Sequence, residues 1–492
     1  MTRRIGTVLI ANRGEIALRI LRTVQATGRR AVVVFHALDA QSQAVRDADL
    51  AVRIGGASPV AAYLDGAQII AVARDAGVDA IHPGYGFLSE NAGFARQVAA
   101  AGIVFIGPTP DAIALMGDKV RARAFVAERG FPVAPSAIED DDPASFAARA
   151  RALGPPLLIK PAAGGGGKGM RIVRDTAALD TEIERARSEG QRYFGDGRLY
   201  VERYVERPRH IEVQVLGDAH GHVVHLWERE CSVQRRFQKV IEETPSPALR
   251  PAERHDICDA AAGIARAVGY QNAGTVEFIY GDGAFYFLEM NTRLQVEHPV
   301  TELVTGRDLV AEQLRIAEGE ALGYGQADVR QDGHAIELRL YAEDPARNYA
   351  PITGRIARLR WPTVEGLRVD SGISEGQRVS AAFDPMLAKL IVHGADRAQA
   401  IARARQALQQ TVLLGLTTNR EFLDRVLADA PFAAGALHTG LLDERAAQLA
   451  LPPPDPDTLM ALIAATALSD PGLRAEADAV PALHAAMGSW RN

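Results

Sequence analysis

At 492 residues the chain exceeds what one hydrophobic core usually supports, so roughly two to four domains are expected. Its 47% hydrophobic and 24% charged content is ordinary for a globular protein, and a net charge of −6 leaves no basic footprint, which excludes nucleic acid as a partner. Cys231 and Cys258 are too few and too far apart for a disulfide framework or a zinc site, and two unpaired thiols fit a reducing cytoplasm.

From the N-terminus, Thr2-Arg3-Arg4 and Val8-Leu9-Ile10 give way at once to Asn12-Arg13-Gly14-Glu15, leaving no signal-peptide core and no membrane span, so a cytoplasmic location is expected. Over residues 5–116, short β-rich runs at 8–11, 31–35, 80–82 and 104–107 alternate with alanine-rich helical stretches. That pattern predicts a doubly wound parallel α/β domain. The first strand ends in Asn12-Arg13-Gly14-Glu15-Ile16 rather than G-x-G-x-x-G, which disfavours NAD. His82-Pro83-Gly84-Tyr85-Gly86-Phe87 reads as a tight turn that could also line a cleft at the edge of this sheet.

After Gly117 the texture becomes α+β, with strands predicted at 157–160, 170–173, 210–216, 275–280 and 284–290. Gly164-Gly165-Gly166-Gly167-Lys168-Gly169 joins two of these strands, so it is no Walker loop. Its glycines still allow backbone N–H groups to approach phosphate, with Lys160 and Lys168 adding charge, although a flexible turn would look the same. His210, on a predicted strand, reads more readily as a satisfied core histidine than as a ligand. Gly281-Asp282-Gly283 predicts a hairpin turn; pairing Tyr280 with Ala284 would set Glu277 opposite Phe287 and diagonal to Glu289.

The stretch from Phe285 to His298 places Glu289, Asn291, Arg293, Gln295 and Glu297 at every second position. In a strand they would share one face, where a cation and an anionic substrate would have to be interleaved among the charges. Glu277, Glu289 and Asn291 offer hard oxygen ligands suited to Mg²⁺ or Mn²⁺ whose remaining positions go to phosphate. Arg293 and Glu297, with Lys239 from the polar run at 234–239, could hold a small anion beside a general base, or form an internal salt bridge.

From His334 the chain turns strand-rich again, and around Arg339 the alternation of Ile336, Leu338 and Leu340 with Glu337 and Tyr341 predicts an exposed arginine. A helix is expected over 398–410, a stiff Pro-rich linker over 451–457, and beyond it a helical or partly disordered tail.

Taken in order, Ile10-Ala11-Asn12-Arg13-Gly14-Glu15-Ile16, the motif from His82 to Glu90, Met116-Gly117-Asp118-Lys119, the glycine loop and the run from Glu289 to Thr301 resemble the biotin carboxylases, which are ATP-grasp ligases. The likeness spans residues 4–445. The run from Asp384 to Leu390 and Thr417-Thr418-Asn419 are most similar to the biotin-carboxylase part of an acyl-CoA carboxylase α-subunit of the methylcrotonyl-CoA type. The resemblance implies a biotin carboxylase N-terminal domain (1–117), an ATP-grasp domain (118–333) with a mobile lid near 134–204, a mixed α+β C-terminal domain (334–446), and the linker and tail (447–492). It implies ATP contacted by Lys119, Lys160, Gly166, Gly167, His210 and a hinge of Glu202, Arg203, Tyr204 and Val205. Glu277, Glu289 and Asn291 would hold two Mg²⁺ or Mn²⁺ ions. Lys239, Arg293, Gln295 and the Val296 backbone would bind bicarbonate, Glu297 would remove its proton, Arg339 would stabilise the biotin enolate-like oxygen, and Tyr85 would flank the biotin ring.

Two departures stand out. A histidine usually occupies the position of Phe237, which predicts a raised nucleotide KM, and one glycine-loop position is Ala163. No Ala-Met-Lys-Met biotinylation motif occurs, so a biotinylated carrier is expected from another chain or from sequence beyond this one, together with a carboxyltransferase subunit. A homodimer is a further expected assembly. The rival readings are a different ATP-grasp carboxylate ligase and a catalytically weak nucleotide-binding subunit.

Overall fold

The computed structural model describes residues 4–139, 142, 144–162, 169–452, 455–469 and 472. Two units divide the chain, Met1–Leu449 and Ala450–Asn492.

Within the first unit, β1 (Thr7–Ile10), β2 (Arg30–Phe35), β3 (Leu50–Arg53), β4 (Ala80–His82) and β5 (Val104–Phe105) form a parallel sheet in the order β3-β2-β1-β4-β5. Both faces are covered, as the near-continuous apolar strands require. Val8 and Ile10 pack with Ile16, Ile20 and Val24 of the helix Gly14–Ala26, whereas Leu9 faces Ile69, Phe94 and Val98 on the other side.

A second, four-stranded antiparallel sheet combines β6 (Ser136–Ile138), β7 (Leu157–Pro161), β8 (Arg171–Val173) and β9 (Leu199–Arg203) in the order β6-β9-β7-β8. Its apolar face closes on Leu179, Ile183 and Ala186 of the helix Leu179–Phe194. The loop between β7 and β8 carries Ala163, Gly166, Gly167 and Lys168, which lie outside the described residues.

The largest sheet has eight strands: β10 (Arg209–Gly217), β11 (Val223–Arg235), β12 (Gln238–Thr244), β13 (Asn272–Gly281), β14 (Ala284–Asn291), β15 (His334–Tyr341), β16 (Leu367–Ser371) and β17 (Met386–Gly394), in the order β14-β13-β10-β11-β12-β15-β17-β16. It runs through residue 333 without a break, because β12 pairs antiparallel with β15. Toward one end of this sheet Ile211, Val213, Val276 and Phe278 meet Ile257, Ala261 and Ile264 of the helix Pro251–Val268. Toward the other, Ile336, Leu338 and Leu340 meet Ala400, Ala404 and Leu408 of the helix Arg397–Gln410.

In the second unit the described helix is Pro456–Ser469, on which Leu459, Met460, Leu462 and Ile463 are exposed. Among the described residues, no helix is long and apolar enough to cross a membrane.

Candidate functional site

Alternation along β10 sends Ile211, Val213 and Val215 into the core and turns His210, Glu212 and Gln214 to the opposite face. Register then builds a row across four strands, with Arg229 of β11 opposite Glu212, Glu212 opposite Glu277 of β13, and Glu277 opposite Glu289 of β14. The hairpin differs from the sequence expectation. Gly281, not Tyr280, faces Ala284, through a two-residue turn in which Asp282 and Gly283 both have positive φ, +52° and +74°. That register would leave Glu289 on the wrong face, but a bulge between the Phe278–Phe287 and Glu277–Glu289 pairs leaves Leu288 unmatched and brings the two carboxylates directly opposite.

The shared-strand expectation holds only to Asn291, where β14 ends. Arg293 and Gln295 lie in the following loop, and Glu297 is the N-cap of the helix His298–Thr305, whose Pro299 in the first turn ends any extended run. Loop geometry nonetheless gathers the same side chains. Arg293 donates to Gln295 Oε1 (2.7 Å), Asn291 Oδ1 (3.1 Å) and Glu90 Oε2 (2.8 Å), while Asn291 and Gln295 both donate to Glu277 Oε1 (2.9 and 3.2 Å).

Lys239 enters from the β11–β12 hairpin, whose turn residues Arg236 and Phe237 also have positive φ, +51° and +65°. Its ammonium donates to Glu212 (2.6 Å), Glu277 (2.9 Å) and Glu297 (2.7 Å). Burial disfavours each of these charges; at Glu212 burial prevails and raises the carboxyl above its usual value, whereas at the other three groups the attraction of their neighbours prevails. Glu297 is held well below the usual carboxylate range by Lys239, Arg339 and Arg229, Glu277 likewise by Lys239 and His210, and Lys239 is pushed well up.

Arg339 is a correction to the sequence expectation, being 8% exposed rather than solvated. It lies on a polar face of β15, and that face is covered by the helix His298–Thr305. Its guanidinium donates to Glu297 Oε2 (3.0 Å), and its Nε is 2.5 Å from Glu242 Oε1. Glu242 faces Glu337 across the ladder, and both are fully buried. Burial raises Glu242 to about 7 against the pull of Arg339 and pushes Glu337 well above the usual range against the pull of Lys389. Both Glu337 oxygens lack a hydrogen-bond partner.

On the side facing the four-stranded sheet, Lys119 opens the helix Lys119–Glu128 and its ammonium is 3.0 Å from Glu289. Lys160 of β7 pairs with Glu202 at the end of β9, within the buried interior. Residues 202–205 lead from this sheet to the central one, with Tyr204 donating to the Pro156 carbonyl (2.8 Å). Val205 abuts Gly281 so closely that a Cβ there would lie 2.5 Å from it, which is why glycine ends β13. His210 Nε2 is 2.8 Å from Glu277 Oε2, and its other ring nitrogen accepts from Gln234. Tyr85 donates to Glu15.

The donor chemistry fits a hard divalent ion. Glu277, Glu289 and Asn291 supply oxygens from adjacent strands, and the Glu289 side chain is 31% exposed, with Lys119 as its counter-charge. His210, Glu212 and Glu277 form a tighter group, with ligand atoms within 4.8 Å of one another, but Lys239 and Arg229 already neutralise it.

Sequence reading assigned no role to Glu212, Arg229, Glu242, Glu337, Lys389, Glu15 or Glu90. Arg229 is fully buried and donates to Glu212, Gln214, Thr275 and Thr301. A charge at every second strand position looks the same whether its face is wet or covered, so the available signal was the density of acids and bases in strands near Glu277 and Glu297.

Comparison with known proteins places this geometry in context. Residues 4–113 match the "Biotin carboxylase, N-terminal domain" model, 118–324 the "Carbamoyl-phosphate synthase L chain, ATP binding domain" and 337–444 the "Biotin carboxylase C-terminal domain". A biotin carboxylase of Halalkalibacterium halodurans is 49% identical over 443 residues, 88% of this chain and 96% of that one. The mitochondrial methylcrotonoyl-CoA carboxylase subunit alpha of Dictyostelium discoideum is 46% identical over 94% of this chain and 67% of its own length. Among solved structures, the biotin carboxylase domain dimer of the Hydrogenobacter thermophilus 2-oxoglutarate carboxylase, in complex with MgADP, ADP and bicarbonate, superposes with a TM-score of 0.87 at 41% identity, covering 92% of this chain and all of that one.

Proposed function

The chain belongs to the biotin carboxylase family, and from that premise we propose how its own residues carry out the ATP- and bicarbonate-dependent carboxylation of biotin. Lys239, Arg293, Gln295, the Val296 backbone and Arg339 form a basic rim around Glu297 that admits a small anion. Glu297 is ionised at neutral pH and therefore able to accept the bicarbonate proton. Entry of a second anion shares out the cations that now depress it, which raises its basicity as the substrate arrives. The bicarbonate oxygen then attacks the γ-phosphorus of ATP and ADP leaves, giving carboxyphosphate. This breaks down to CO₂ and phosphate; the phosphate takes the ureido N–H proton, and the nitrogen attacks CO₂. Arg339 neutralises the charge that develops on the ureido oxygen, and Tyr85 flanks the ring.

Lys119, Lys160, Gly166, Gly167, His210 and the segment Glu202, Arg203, Tyr204 and Val205 are assigned to ATP, with the sheet β6–β9 as the lid that excludes water from the labile anhydride. Mg²⁺ or Mn²⁺ held by Glu277, Glu289 and Asn291 supplies neutralisation of the phosphoryl charge. The domains are assigned as 1–117, 118–333, 334–446 and 447–492, supported by the three matched ranges.

The relatives act toward different acceptors, so the acceptor lies with the carboxyltransferase partner. We assign the chain to the first half-reaction of an acyl-CoA carboxylase, with a biotinylated carrier and a second copy of the chain as further partners. The buried unpaired thiols of Cys231 and Cys258 support a reducing cytoplasm.

The single observation that carries the mechanism is the Lys239 ammonium bonded to three carboxylates beside two guanidinium groups. Phosphate release from ATP tests it, and is expected to require bicarbonate and to rise with free biotin. Release that ignores both would favour a different acid substrate. The exposed Phe237 favours a second reading, a nucleotide-binding subunit of weak activity, which predicts ATP binding without turnover.

A further inference from the structure

Lys389 of β17 has no exposure to water and stands between Arg339 of β15 and Asp370 of β16 on the covered face of the large sheet. A buried ammonium persists only where acceptors surround it. Those of Lys389 lie in two directions. On one side it donates to the Val296 carbonyl, in the turn that ends at Glu297. On the other, Glu15 Oε1 is 3.6 Å away, and the same oxygen accepts the Tyr85 hydroxyl.

Glu15 is fixed by its backbone as well. The end of β16 meets the start of the helix Gly14–Ala26 so closely that a Cβ on Gly372 would lie 2.5 Å from the Glu15 nitrogen. The second Glu15 oxygen is buried without a partner, so Tyr85 and Lys389 set the orientation of this carboxylate. A continuous line of contacts therefore runs from the loop after β4, through Glu15 and Lys389, to the peptide adjoining Glu297.

We propose that Lys389 is a positioning residue that couples the two substrate subsites: it holds the Val296 carbonyl, and so the setting of Glu297, in a manner that depends through Glu15 on whether the Tyr85 loop has received the biotin ring. The inference rests on the reading that Tyr85 flanks biotin and that Val296 and Glu297 serve bicarbonate. Loading of the ring then tightens the Glu15–Lys389 contact and seats the base, so that ATP is spent on bicarbonate mainly when an acceptor is present.

The test uses the full chain and measures bicarbonate-dependent phosphate release with and without free biotin in wild type, Glu15→Gln and Lys389→Met, with melting temperature as the check on folding. Glu15→Gln is expected to leave the biotin-free rate and the bicarbonate KM within about twofold while cutting the biotin stimulation about tenfold. Lys389→Met is expected to raise the bicarbonate KM about tenfold, with the nucleotide KM unchanged, and to abolish the stimulation. A wild type stimulated by biotin alongside a Glu15→Gln variant with the same stimulation ratio overturns the coupling alone, whatever the stability of Lys389→Met. A wild type that ignores bicarbonate or biotin overturns the reading of the site, and the coupling with it.

Discussion

Glu277 stands directly opposite Glu289 across the β13–β14 ladder because Leu288 is left out of the pairing. One unmatched residue thus turns two acids that regular pairing would separate onto the same face.

That placement makes Glu289 the more accessible of the two carboxylates proposed as divalent-ion ligands. Glu289→Gln is expected to weaken Mn²⁺ binding in the presence of ADP by about tenfold or more, read by titration calorimetry, with little change in melting temperature because the side chain is part-exposed. Unchanged Mn²⁺ affinity would remove Glu289 from the metal site.

Glu297→Gln keeps the shape of the proposed base but cannot take a proton. Bicarbonate-dependent phosphate release should fall by about 10²–10⁴-fold while ATP affinity holds. Equal turnover in the variant would move the role of base to another residue.

Phe237 is 60% exposed at the tip of the β11–β12 turn, two residues before Lys239. An imidazole there could donate to a phosphate oxygen where a phenyl ring cannot. Phe237→His is expected to lower the nucleotide KM about threefold to tenfold at constant kcat, by steady-state kinetics. A KM that does not move assigns the turn no part in nucleotide binding.

His82 is buried and fixed in its neutral form: one ring nitrogen accepts from the Gly84 N–H (3.0 Å) and the other faces Gln313 Oε1 (3.2 Å). Burial lowers its pKa from 6.5 to about 4. A base depressed in the folded state contributes stability that is present above 6.5 and lost as pH falls through 4, because the unfolded chain takes the proton first. The unfolding free energy of wild type relative to His82→Gln should therefore drop by about 3 kcal/mol between pH 7 and pH 4, measured by urea denaturation.

Glu337 has the opposite sign. Burial raises its pKa, so its contribution is full below the unfolded carboxylate value and is lost as pH rises. Glu337→Gln is expected to be more stable than wild type at pH 7, by about 1–2 kcal/mol, and to lose that advantage at pH 4. The same denaturation series checks it, and a variant less stable than wild type at pH 7 would show that the carboxylate is ionised and paired.

Much of the fold was legible because its strands announce themselves: 8–11 and 80–81 are apolar on both faces, and the parallel sheet they form is covered on both. The grouping of Glu277, Glu289 and Asn291 was legible from the Gly281-Asp282-Gly283 hairpin and the alternation that follows Phe285 and Phe287. The bulge was not, since Phe287-Leu288-Glu289 reads identically with or without it. Arg339 was misjudged because a period of two identifies a second face without saying what covers it, and the covering helix His298–Thr305 begins where the run expected to be a strand stops. Pro299 was the overlooked sign. The Glu90–Arg293 pair spans too many residues for any local pattern to reveal.

The β12–β15 pairing has a practical consequence for dissecting the protein. A fragment stopped at residue 333 would expose β12 as a raw sheet edge, with Val233 and Ile241 stripped of Ile336 and Leu338. Such a piece invites intermolecular strand addition and precipitation, so the two halves of this sheet should be produced, crystallised and engineered together.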